Sequence, residues 1–151
     1  MGVEINLDEG TYPSPLQDFE IEILPPAITF ISPPTEIVRT LLTERERDIE
    51  NLTPRGQPLE VMVEFPDGHP RGLTKTVLYV DGFEADVNTS PPFEKFTWDL
   101  RQILVSGEHQ LVTEATDAVG LVGKSVAVPV MVTIVIPPQN LMTIISQNRA
   151  L

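Results

Sequence analysis

The side chains of this chain with capacity for chemistry are 22 carboxylates, 10 lysines and arginines and two histidines, with no cysteine. The missing cysteine excludes disulfide frameworks, thiolate-bound zinc, iron–sulfur clusters and thiol nucleophiles, and leaves the compartment open. His69 stands in a turn between Gly68 and Pro70, and His109 opens a strand after Gly107. In a β-sandwich those positions fall at opposite poles, about one strand length or ~20 Å apart, so the two rings cannot share a site. A serine hydrolase holds its nucleophile on a constrained turn, and no Gly-x-Ser-x-Gly string is present. His109 reads as capping or packing at a sheet edge, and His69 as decorating a loop. Glu60 and Glu64 project outward from one strand, as any exposed strand places alternate residues, which is not a glycosidase pair.

A hard cation has more to work with, because calcium takes carboxylate and carbonyl oxygens from adjacent loops. Asp67 and Asp117 are the candidate calcium ligands, since their loops share one pole of a sandwich, whereas Asp81 belongs to the other. No Asp-x-Asp-x-Asp-Gly loop completes the shell. The alternative is that each accepts hydrogen bonds from its own turn, next to or near a glycine. No glycine loop suited to phosphate is present either, the glycines being scattered singly through turns.

The elements that must position these groups follow from pattern. With 151 residues there is room for one domain with flanks. Fifteen prolines, about twice the average share, disfavour an all-helical fold. A net charge of -12 repels phosphate backbones and anionic headgroups, against nucleic-acid binding and a peripheral membrane role. No stretch reaches the ~18 apolar residues of a span, and Met-Gly-Val-Glu-Ile is no secretory signal. The chain then reads as cytosolic or as a piece of a longer exported polypeptide.

Three segments are expected. Residues 1–24 carry one alternating run, Phe19, Ile21 and Ile23, which is an extra strand or the remnant of a preceding domain. Pro25–Pro26 then acts as a hinge, residues 25–138 form the body, and 139–151 are a tail or stalk. Within the body the period is two. Ala27 to Ser32 is a first strand. Leu59, Val61, Val63 and Phe65 face a core while Glu60, Met62 and Glu64 face water. Thr76 to Val80 stops at Asp81-Gly82, with a short return over Phe83 to Val87. Phe96, Trp98 and Leu100 point inward, as do Leu111, Thr113 and Ala115. Val126 to Ile136 is the longest stripe, and Pro129 marks it as an edge strand free to pair with residues 1–24 or another domain. Leu41, Leu42, Ile49 and Leu52 recur at helical spacing around charges, and Thr43 with Glu46 forms a capping box, so 43–52 is a short helix or a charged loop. Short strands with turns every ten or so residues give an all-β fold, an immunoglobulin-like β-sandwich with Greek-key connections.

The strings LYVDG (78–82), PPFEKFTWDL (91–100) and SGEHQLVTEATDAVGLVGKS (106–125), with the closing valine-rich strand, resemble bacterial immunoglobulin-like modules. With EFPDGHPR (64–71) the resemblance narrows to modules beside von Willebrand factor type A domains in membrane-anchored bacterial proteins, over roughly residues 27–137. It implies a non-catalytic module outside the membrane that supports a neighbouring ligand-binding domain. It further implies an extracellular or cell-surface location, with the membrane anchor in sequence outside this chain. Expected partners are neighbouring domains of the same polypeptide or another protein, with no nucleic acid and no membrane insertion by this segment. The Asp-x-Ser-x-Ser metal loop of the type A domain is not in this sequence. The alternatives are a calcium-dependent adhesive module and a carbohydrate-active accessory domain. The latter needs exposed aromatics, for which Tyr79 and Phe83 are the outward candidates.

Overall fold

The computed structural model describes residues 22–41 and 51–136. Ten strands form there: β1 (Ala27–Ile31), β2 (Glu36–Leu41), β3 (Leu52–Thr53), β4 (Gly56–Glu64), β5 (Leu73–Val80), β6 (Phe83–Asn88), β7 (Lys95–Asp99), β8 (Gly107–Asp117), β9 (Val122–Lys124) and β10 (Val128–Val135). They make two sheets. One has the order β3–β2–β10–β8–β5–β6, with β9 also on β8; the other has the order β1–β4–β7. All pairs are antiparallel except β2 with β10. The chain crosses between sheets after β1, β3, β4, β6 and β7, which is the Greek-key arrangement of an immunoglobulin-like β-sandwich.

Alternation places the core as the sequence implies. Ile28, Phe30, Leu59, Val61, Phe96 and Trp98 from the small sheet meet Ile37, Leu78, Leu111, Ala115, Val130 and Val132 from the large one, with Leu100 beside them. Their outward neighbours, such as Glu60, Met62 and Glu64, are exposed. Asp81-Gly82 makes the tight β5–β6 connection because both residues hold positive φ, 53° and 86°, the two-residue turn that matches strand twist.

Three expectations change. Val126 to Ile136 is not an edge strand: β10 lies between β8 and β2, and Val126 itself, 79% exposed, precedes it. Pro129 is tolerated for a local reason. Its partner Gln110 gives both backbone groups to Asp81, so this pair exchanges no hydrogen bonds, and β2 joins the other side only from Met131 onward. The position that an incoming segment was expected to take beside β10 is held by β2.

Pro25–Pro26 is not a free hinge either. Pro26 is buried, and a Cβ on Gly123 of β9 would stand 1.7 Å from the Pro26 carbonyl oxygen. The third change concerns 43–52. Residues 42–50 lie outside the described residues, as does the capping box, but Leu52–Thr53 is a strand paired with Thr40–Leu41. The expected run at Phe19–Ile21 and the 139–151 tail also lie outside the described residues.

Candidate functional site

The β4–β5 loop and the β8–β9 hairpin come together at one pole, and they bring Asp67 and Asp117 with them. Asp67 sits in a turn closed by the Gly68 N–H donating to the Phe65 carbonyl. Asp117 is the last residue of β8 and faces inward by the same alternation that buries Leu111, Thr113 and Ala115. Between the two carboxylates lies Arg71, which the sequence reading did not single out. Its Nε donates to Asp117 Oδ2 at 2.8 Å, and its Nη1 donates to Asp67 Oδ2 at 2.9 Å and to the His69 carbonyl at 2.7 Å. Nη2 donates to the Leu24 carbonyl. The guanidinium also lies 4.9 Å from the Phe65 ring centroid, within cation–π range.

The remaining lone pairs are taken by backbone. Asp117 Oδ1 accepts from the Val119 and Leu121 N–H groups at 3.0 and 2.9 Å. Asp67 Oδ1 accepts from the His69 N–H and Oδ2 from the Leu24 N–H, both at 2.9 Å. Each carboxylate therefore caps its own turn and also faces a cation. The Leu24 hydrogen bond, then those of His69 and Arg71, hold Asp67 below its ordinary range. Burial works against ionisation of Asp117, but Leu121, Arg71 and Val119 outweigh it and its value is also lowered. Among the described residues, no group of three or more His, Cys, Asp or Glu side chains stands in a metal-holding arrangement.

The second constellation lies at the other end of β8. His109 faces inward, its Nδ1 2.6 Å from Asp81 Oδ2, and its ring meets the Trp98 ring edge-on at 5.7 Å between centroids. Asp81 also accepts from the Gln110 N–H at 2.9 Å and donates its own N–H to the Gln110 carbonyl. The turn between β5 and β6 is thus latched to the start of β8. His69, in the opposite loop, is exposed. The histidines do not converge, and among the described residues no nucleophilic side chain is a hydrogen-bond partner of the His109–Asp81 pair.

Arg39 is the third, and it too went unread. It is 1% exposed on the inward face of β2, between Ile37 and Leu41. Its donors reach three carbonyls: Pro54 at 2.8 Å, Leu52 at 3.2 Å, and Ile103. Burial lowers its pKa, against the opposing charge of Asp99. An arginine between two inward apolar residues was a readable signal once β2 was recognised as a strand.

The outer face of the large sheet carries a shallow hollow lined by Tyr79, Gly82, Val112, Glu114 and Lys124. Its polar groups engage one another, Glu114 being 3.4 Å from both the Tyr79 hydroxyl and Lys124 Nζ. Tyr79 is half-buried there, while Phe83 is 78% exposed; they form no row of stacked aromatic platforms.

No protein-family model and no curated protein matches this sequence. Among solved structures, the chain is similar to the fibronectin(III)-like modules of Clostridium thermocellum CbhA. That similarity has 16% identity and a TM-score of 0.47, over 76% of this chain and 48% of that one. This chain spans about half the length of that structure.

Proposed function

We propose that the protein is a non-catalytic structural and interaction module of a longer, membrane-anchored bacterial surface protein, and that it supports a neighbouring ligand-binding domain of the von Willebrand type A kind. One observation carries this reading. The most enclosed ion-paired group of the described residues, Asp67–Arg71–Asp117, is directed at the module's own loops and at Leu24, where the chain enters the sandwich. An active site needs polar groups that converge on a space a substrate can fill. Here the convergent groups enclose backbone. The motifs at 64–71, 78–82 and 91–100 supply the narrower architectural part of the proposal.

The test is the sequence of the native polypeptide on either side of this chain. A type A domain before it and a membrane span after it are expected, and finding neither refutes the architecture. Measurable turnover by the purified chain, lost on substitution of a side chain in the Tyr79–Glu114–Lys124 hollow, would refute the non-catalytic part.

A further inference from the structure

We infer that residues 24–26 form a locked joint, which fixes the direction in which the preceding polypeptide leaves the sandwich. Two independent contacts make it. Asp67 accepts the Leu24 N–H and Arg71 donates to the Leu24 carbonyl, so both backbone groups of one residue are held by an ion pair that Asp117 braces from behind. Two residues on, the Pro26 carbonyl lies against Gly123 where no side chain would fit. Pro25, between them, has its φ fixed by its ring. A diproline between flexible neighbours stiffens a linker but leaves its ends free to pivot. Here both ends are fastened, one to the β4–β5 loop and one to β9. Because the capture uses backbone groups, it does not depend on the Leu24 side chain, which is exposed.

This rests on reading the chain as one module of a longer polypeptide, and the experiment separates the two. Pro25 and Pro26 have no amide proton, so Leu24 is the nearest reporter before β1. In the intact chain, the Leu24 amide is expected to show a heteronuclear NOE value equal to those of β4, and Leu24 hydrogen exchange is expected to be slowed at least ~10-fold relative to an open chain. Asp67→Ala and, separately, Gly123→Ala should each return Leu24 toward open-chain exchange while the Val61 and Leu111 amides stay protected. The second variant disturbs the joint without touching a charge. An NOE value at Leu24 well below those of β4 in the unaltered chain overturns the inference whatever the variants do. So does a Leu24 amide that remains equally protected in both variants. A locked Leu24 in a polypeptide with no neighbouring domain would instead overturn the function and leave the joint standing.

Discussion

Trp98→Ala is the perturbation whose size follows most directly from the packing. Trp98 is 2% exposed, sits on β7 among the inward residues of both sheets, and is the only tryptophan. Truncation to Ala would leave a void of roughly 140 Å³ if nothing moved, worth ~3 kcal/mol at the measured cavity coefficient, and the usual range for Trp→Ala is about 3–5 kcal/mol. Loss of the edge-on contact with His109 adds about 0.5–1.5 kcal/mol, for an expectation of roughly 3.5–4.5 kcal/mol, around the middle of that range. A domain of this size has about 5–15 kcal/mol in total. Urea unfolding followed by circular dichroism should then move its midpoint down by roughly 1.5–4 M at unchanged slope. Trp98→Phe, which keeps most of the volume, should lose less than half as much. In the unaltered protein the single indole should emit as a buried one and resist acrylamide quenching. A loss under ~1.5 kcal/mol at unchanged slope, or a freely quenched indole, would refute the claim that the two sheets close on this residue.

Calcium at millimolar concentration should leave the melting temperature of the unaltered chain where it is, because Arg71 stands between Asp67 and Asp117; a rise of several degrees that Asp117→Asn abolishes would instead make them ligands. Acid should act through the aspartates whose folded pKa values are lowered: Asp67, Asp81, Asp117 and Asp99, the last taken from 3.8 to about 2 by side-chain and then backbone hydrogen bonds with Arg101. A lowered folded value contributes stability that is present above the unfolded value and lost as pH falls through the folded one. Melting temperature should therefore fall below about pH 4 and keep falling toward pH 2, with a shallower fall in Asp67→Asn, and a flat profile from pH 5 to 2 would sink the assignment. Arg39→Met should destabilise by about 1–3 kcal/mol, since three carbonyls lose their donors while the cost of burying a guanidinium is removed; a gain in the urea midpoint would show that the burial cost was the larger.

The two-sheet core was legible because a period of two is a direct statement about faces. Leu59, Val61, Phe96, Trp98, Leu111 and Ala115 all lie where their alternation puts them. What escaped was pairing order. Nothing in Val126–Ile136 says which strand lies on its far side, and Pro129 fits a central strand whenever its missing donor faces a gap in the neighbour. β2 escaped because its inward face reads Ile37, Arg39, Leu41, and a charge at the middle position breaks the hydrophobic pattern on which recognition depends. The burial of Arg39 becomes intelligible only once the carbonyls of Leu52, Pro54 and Ile103 are gathered around it from chain positions up to 64 residues away.

The same asymmetry governs the pole. Sequence placed Asp67 and Asp117 together because sandwich topology fixes which loops are neighbours, and turn chemistry foretold the backbone donors around each. It could not show the guanidinium, because an arginine's position at the end of a loop says little about the direction of its long side chain. Two carboxylates converging on one space need positive charge, and a divalent cation and an arginine supply it differently. A cation gathers carboxylate and carbonyl oxygens around itself and carries no directed donors. Arg71 has donors left over after both carboxylates are satisfied, and these reach outward to the His69 and Leu24 carbonyls. The choice of arginine therefore converts an acidic pole into a fastening for the preceding backbone, and it is this surplus of directed donors that joins the charge cluster to the proposed role of the module.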